Sequence, residues 1–152
     1  MKKKILFICV HNSARSQMAA AFVNQLCQND FEAQSAGLKP GALNPFVVES
    51  LREVGIDISQ NKPQEVFEVW KSGTLFQYVI TVCSEADAEG CPIFPGRATR
   101  LHWPFDDPSK FIGTHPERLA QTGRVRDQIR QRIEIFCAEH RGELAASPTP
   151  RA

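Results

Sequence analysis

The sequence has no excess of charge of either sign. Its 18 lysines and arginines nearly balance 17 aspartates and glutamates, which leaves a formal net charge of +1 over 152 residues. A protein that binds nucleic acid needs an excess of basic residues to displace counterions from the phosphates. We therefore expect no nucleic acid among its partners.

Long apolar runs are also missing. No run approaches the roughly 20 residues that cross a bilayer, so the sequence predicts no membrane contact. The opening segment MKKKILFICV combines lysines with an apolar stretch, as signal peptides do. The stretch is too short, however, and HNSARSQ follows it without a small-residue cleavage site. We interpret the segment as a first β-strand.

Cysteines are few and odd in number. Five are spread over a chain long enough to bury a core without disulfide or metal staples. This pattern favours reduced thiols in the cytoplasm over a secreted disulfide framework. Cys27 and Cys137 lie on apolar helix faces, and we interpret both as core-facing thiols without a chemical role.

Short apolar strands alternate with amphipathic helices along the chain. Strands are predicted at residues 4–9, 33–36, 77–83 and 99–103, and helices at 16–28, 45–54 and 120–140. This alternation predicts an α/β fold with an open parallel sheet of about four strands and helices on both faces. We expect a single domain over residues 1–141 and a disordered tail over 142–152, which is rich in alanine, proline, serine and threonine.

Three reactive side chains fall at the ends of predicted strands. Cys9 and Cys83 end the first and third strands, and Asp107 lies in the loop after the fourth. In parallel sheets the ligand site lies beyond the carboxyl ends of the strands. The pattern therefore predicts that these distant residues meet at one edge.

A cysteine, five residues, an arginine and a serine follow the first strand and open the first helix. A loop of this length can wrap its N–H groups around a tetrahedral oxyanion, and the helix N-terminus adds a favourable dipole. Arg15 can bind two oxygens in a planar fork, and its charge favours the thiolate form of Cys9. We expect the oxyanion to contact a set of consecutive residues: Val10, His11, Asn12, Ser13, Ala14, Arg15 and Ser16.

The segment CVHNSARSQMA resembles the active-site loop that low-molecular-weight tyrosine phosphatases share with the thioredoxin-coupled arsenate reductases. Its RSQMA continuation is more similar to the reductases, as are VGIDIS at residues 54–59 and WPFDDP at 103–108. The resemblance covers residues 3–139. It implies the low-molecular-weight phosphatase fold and the activity of a cytoplasmic, thioredoxin-dependent arsenate reductase.

The resemblance also implies roles for individual residues. Asp107, directly before a proline, would be the general acid, and Asp106 only a turn-former. Cys9 would attack arsenate, and Cys83 would then attack Cys9 and release arsenite. Cys91 would finally take over the oxidation as a Cys83–Cys91 disulfide that thioredoxin reduces. Phosphate or sulfate would compete with arsenate for the loop.

Two rival interpretations stay open, and no cofactor is predicted. A tyrosine phosphatase would use the same loop and acid, but it usually has an aromatic residue where Ser109 stands, and it gives Cys83 and Cys91 no role. A non-enzymatic oxyanion sensor or redox partner on the same fold would need neither Asp107 nor the relay. Some related reductases bind potassium through acidic residues at positions that are Ala20 and Gln64 here, so we predict no metal site.

Overall fold

A computed structural model describes residues 2–83 and 96–141 of the chain. In this part, the strands Lys3–Cys9 (β1), Phe31–Gly37 (β2), Tyr78–Thr81 (β3) and Thr99–His102 (β4) form one parallel sheet. Their order is β2-β1-β3-β4. The helices are Arg15–Leu26 (α1), Pro45–Arg52 (α2), Val66–Lys71 (α3) and His115–His140 (α4), with a 3-10 turn at Pro108–Lys110. The predicted α/β fold class is confirmed.

Helices cover both faces of the sheet. Because side chains alternate along a strand, Ile5, Phe7 and Cys9 of β1 join the larger apolar cluster, which contains residues of α1, α2 and α4. Leu6 and Ile8 point the other way, into a smaller cluster that includes Val69 of α3. Burying such a side chain contributes roughly 1.5–3 kcal/mol, so both layers hold β1 firmly in the centre of the sheet.

The helix ends follow their local sequence. As predicted, Asn44 caps α2: its side chain accepts hydrogen bonds from the N–H groups of Phe46 and Val47, and Pro45 occupies the first helical position. The helix ends at Arg52, slightly earlier than expected. Gly55 follows with φ of +82°, a left-handed conformation that glycine adopts at little cost.

The C-terminal helix α4 begins five residues earlier than predicted. Thr114 accepts a hydrogen bond from the N–H of Glu117, and the Glu117 carboxylate accepts one from the N–H of Thr114. Hydrogen bonds from the side chain of Thr114 and from its backbone N–H hold the pKa of Glu117 below its usual range. Such a capping box starts a helix before its apolar periodicity begins.

Two further expectations differ from the structure or lie outside it. The third strand is shorter than residues 77–83, although hydrogen bonds from Gln77 N to Lys4 O and from Val82 N to Ile8 O extend the pairing. The tail at 142–152 lies outside the described residues. None of the described helices is long and apolar enough to span a membrane.

Candidate active site

Cys9 lies at the carboxyl end of β1, where the order of the strands reverses. The chain passes from β1 to β2 on one side and then to β3 on the other. Ligands bind in open α/β sheets outside the strand ends at such a point. A loop of residues 10–14, which we call the anion loop, separates Cys9 from the start of α1 at Arg15. The strand–loop–helix unit therefore stands where a ligand site is expected.

The backbone of the anion loop is held from outside by the segment that follows β2. Three of its carbonyl oxygens accept backbone N–H groups from this segment: Val10 from Lys39, His11 from Gly41 and Ser13 from Asn44. The C=O and N–H groups of a trans peptide point in opposite directions. The N–H groups of these peptides therefore face away from the segment, on the side where an oxyanion would lie.

Two residues allow the loop to approach β2 this closely. A Cβ at Gly37 would lie 2.7 Å from the backbone nitrogen of Asn12 and 2.8 Å from the carbonyl oxygen of Val10, so any side chain there would displace backbone. Asn12 is fully buried and has φ of +52°. Asparagine tolerates this left-handed conformation better than most residues do. The exposed His11 contributes a contact between its Nδ1 and the carbonyl oxygen of Lys39.

The sulfur of Cys9, a free and buried thiol, lies 2.9 Å from the hydroxyl oxygen of Ser16. That hydroxyl also accepts a hydrogen bond of 2.7 Å from Nδ2 of Asn12. The orientation of the Asn12 amide is fixed because its oxygen accepts the backbone N–H of Gln64 at 2.9 Å, and an N–H can only donate. With one lone pair of its oxygen occupied by Asn12, Ser16 has its single hydrogen available for the Cys9 sulfur.

The N-terminus of α1 points at the same loop without a side-chain cap. Its N-cap is Ala14, whose methyl group cannot accept a hydrogen bond. The first-turn N–H groups of a helix need an acceptor, and their dipole favours a negative one. An oxyanion held by the anion loop would supply it.

Arg15 joins the anion loop to the predicted acid. Its side chain is 3% exposed; Nη2 lies 3.5 Å from Oδ2 of Asp107, and Nη1 donates to the carbonyl oxygen of Phe105. The other oxygen of Asp107 accepts the N–H of Ser109. Asp107 is therefore brought to the loop, whereas Asp106 is exposed.

A second link between the two loops was not anticipated from the sequence. Nδ2 of Asn44 donates to Oγ of Ser109 at 3.2 Å, while the backbone N–H of Asn44 donates to the carbonyl oxygen of Ser13. Asn44 therefore connects the anion loop, the start of α2 and the turn after Asp107. Only its capping role could be recognised in the sequence.

Cys83 is buried at the same sheet edge as Cys9. It follows Val82, whose N–H donates to the carbonyl oxygen of Ile8, the neighbour of Cys9. Adjacent strands lie about 4.8 Å apart, and both cysteines belong to the same apolar cluster. Cys83 is disulfide-bonded and fully buried. Cys91 lies outside the described residues.

The expectation that Cys27 and Cys137 are thiols is wrong. Both are buried against the core, as predicted, but they form a disulfide with a Cα–Cα distance of 6.0 Å. The physical reason is that α1 packs along α4, and this packing brings two residues 110 positions apart within disulfide range. A helix of 12 residues is about 18 Å long, so the disulfide at the far end of α1 is remote from Arg15.

The chain is similar to proteins of known family. The model of the low molecular weight phosphotyrosine protein phosphatase family matches residues 4–145. An arsenate reductase from Shouchella clausii is 42% identical over 135 residues, which are 89% of this chain and 95% of the relative.

Solved structures of arsenate reductases are similar as well. The enzyme from Archaeoglobus fulgidus is 30% identical with a TM-score of 0.64, covering 86% of this chain and 98% of the other. A thioredoxin-dependent arsenate reductase from Corynebacterium glutamicum is 29% identical with a TM-score of 0.56. That match covers 89% of this chain and 63% of the other.

Proposed function

The chain belongs to the low molecular weight phosphotyrosine protein phosphatase family, as one of its arsenate reductases, and we propose that it reduces arsenate to arsenite through a relay of Cys9, Cys83 and Cys91. The observation that carries this proposal is the placement of two cysteines, Cys9 and Cys83, at one sheet edge and in one apolar cluster. A hydrolytic phosphatase needs only the first of them.

The first step forms a bond between sulfur and arsenic. Arsenate binds to the N–H groups of the anion loop and to the guanidinium of Arg15. The Cys9 thiolate, which accepts the Ser16 hydroxyl hydrogen, attacks the arsenic atom. A hydroxyl group of arsenate leaves as water after it receives a proton from Asp107, and such general acids typically contribute 10²- to 10⁴-fold to a rate.

The second step is the reduction itself. The Cys83 thiolate attacks the sulfur of Cys9, an S–S bond forms and the S–As bond breaks. The electron pair of the broken bond stays on arsenic, which falls from the +5 to the +3 state and leaves as arsenite. Two thiols have then supplied the two electrons.

The third step transfers the disulfide from the Cys9–Cys83 pair to the Cys83–Cys91 pair. Cys83 has no exposed surface, so a protein reductant could not reach a Cys9–Cys83 bond. Cys91 attacks Cys83, releases Cys9 as a thiolate and leaves a Cys83–Cys91 disulfide. The combination of an oxidised Cys83 with a free Cys9 in the structure supports this order.

Thioredoxin is the proposed reductant, and the cytoplasm the proposed location. The dithiol of thioredoxin supplies two electrons per turnover. A related enzyme from Corynebacterium glutamicum is described as thioredoxin-dependent. Thioredoxin systems keep thiols reduced in the cytoplasm. No cofactor is needed, because the cysteines carry the electrons. Phosphate and sulfate are expected to compete for the anion loop.

The test is arsenate-dependent oxidation of NADPH through thioredoxin reductase and thioredoxin. Cys9→Ser, Cys83→Ser and Cys91→Ser should each abolish turnover, whereas Cys27→Ser should retain it. Hydrolysis of a small aryl phosphate, measured in parallel, distinguishes a phosphatase from an arsenate reductase. Full activity of Cys83→Ser in both assays would show a phosphatase-type site without a thiol relay.

A further inference from the structure

A chain of side-chain amides runs from the anion loop to the surface beside α1. Gln17, directly after Ser16, is 3% exposed. Its Nε2 donates to the carbonyl oxygen of Asn12 at 3.1 Å and lies 3.3 Å from the Asn12 side-chain oxygen. Oε1 of Gln17 accepts a hydrogen bond of 3.1 Å from Nδ2 of Asn61. Gln17 therefore contacts the anion loop at Asn12, whereas Asn61 acts on the loop only through Gln17.

Backbone groups determine the direction of the hydrogen bonds between the side-chain amides. The carbonyl oxygen of Asn12 can only accept, so the amide atom of Gln17 that faces it must be nitrogen. The oxygen of Gln17 then faces Asn61, which must donate. The backbone N–H of Gln64 fixes the Asn12 amide in the same way.

All the donors therefore point toward the nucleophile. Asn61 donates to Gln17, Gln17 to Asn12, Asn12 to Ser16, and Ser16 is left to donate to Cys9. If the side-chain amide of Asn12 rotated by 180°, its oxygen would face Ser16 and accept the single hydroxyl hydrogen. Cys9 would then lose its donor.

We propose that Gln17 and Asn61 are positioning residues. They hold the Asn12 amide in the orientation that leaves the Ser16 hydroxyl to donate its hydrogen bond to the Cys9 sulfur. The proposal rests on the proposed function in taking Cys9 as the nucleophile. Successive hydrogen bonds polarise one another, so a distal donor strengthens the bond at the sulfur. Gln17 provides two of the contacts of Asn12, and Asn61 orients and polarises Gln17.

Asn61, at the solvent end of this series of hydrogen bonds, can be substituted without disturbing the core. Gln17, Asn61 and Gln64 line a cavity of about 670 Å³ beside α1, and Asn61 is exposed. Gln25 is an exposed glutamine that lines the same cavity from the same helix. It provides a matched control for substitutions at Gln17.

The experiment measures how the alkylation rate of Cys9 depends on pH in the full-length reduced chain, with the modified peptide identified by mass spectrometry. Gln17→Met keeps the size and flexibility of the side chain but removes its hydrogen bonds. Its profile midpoint should move up by about 0.5–1 pH unit. Asn61→Ala should move it in the same direction by less, and Gln25→Met should not move it.

The profile separates a positioning role from a purely structural one. A fall in melting temperature with an unchanged profile in both Gln17→Met and Asn61→Ala would overturn the proposal. If Gln17→Met does not fold, an unchanged profile in Asn61→Ala overturns it alone. The readout needs no arsenate, so a failure here is distinct from a failure of the reductase function, which the NADPH assay detects.

Discussion

Arg15 and Asp107 face each other at the sheet edge, with Nη2 and Oδ2 3.5 Å apart and both side chains at most 10% exposed. The pair joins the first residue of α1, directly after the anion loop, to the proposed general acid. Their separation in the sequence is 92 positions, so only the fold brings them together.

Replacing the acid should slow the first chemical step. Asp107→Asn keeps the shape of the side chain but cannot give up a proton, so arsenate turnover should fall by about 10²- to 10⁴-fold. Asp106→Asn is the matched control, because Asp106 is exposed next to it. Steady-state NADPH oxidation compares the two, and equal losses in both variants would remove Asp107 from this role.

The arginine should be irreplaceable by lysine. Arg15→Lys keeps a positive charge but loses the planar fork that binds two oxygens, and also the second nitrogen that donates to Phe105. We expect at least about a 10²-fold loss in kcat/KM for arsenate, a cost of roughly 2.7 kcal/mol. Near-normal kinetics of Arg15→Lys would mean that charge alone binds the substrate.

The link between Ser109 and Asn44 should affect the position of the acid. Ser109→Ala removes one hydrogen bond from Asn44 without touching the cap of α2. A typical hydrogen bond contributes about 1 kcal/mol, or roughly a five-fold effect on kcat. Ser109→Thr retains the hydroxyl and serves as the control. If both variants match the wild-type rate, the link is only structural.

The Cys27–Cys137 disulfide should stabilise the fold without serving the relay. It closes a loop of 110 residues, and the chain-entropy relation gives up to about 5 kcal/mol for such a loop. Cys27→Ala/Cys137→Ala should therefore melt at a lower temperature than the oxidised protein yet turn over arsenate normally. Dithiothreitol should lower the melting temperature of the wild type more than that of the double variant, which keeps only the disulfide of Cys83. Identical melting with and without dithiothreitol would contradict the stabilising role.

Local sequence predicted the parts of the fold that depend on near neighbours. The strand, loop and helix around Cys9 could be identified from apolar patterns, and the start of α2 from Asn44 and Pro45. The start of α4 was placed too late, because the capping residues Thr114 and Glu117 precede its apolar periodicity. The family resemblance, which the comparisons confirm, supplied the expected activity.

Contacts between distant segments could not be predicted in this way. The Cys27–Cys137 bond depends on how α1 packs against α4, and a pattern in one helix carries no information about its partner. The hydrogen bond from Asn61 to Gln17 likewise joins a loop to a helix 44 residues away. Such polar contacts follow from the three-dimensional path of the loops, which single-sequence periodicity does not determine.

The relay is tested most directly by stopping it after its second step. Cys91→Ser protein, reduced and then treated with arsenate, should release one arsenite per chain and stop. Non-reducing peptide mapping by mass spectrometry should then find the Cys9 peptide linked to the Cys83 peptide. Release of arsenite without that linked peptide, or sustained turnover with thioredoxin in this variant, would contradict the order of the three thiols.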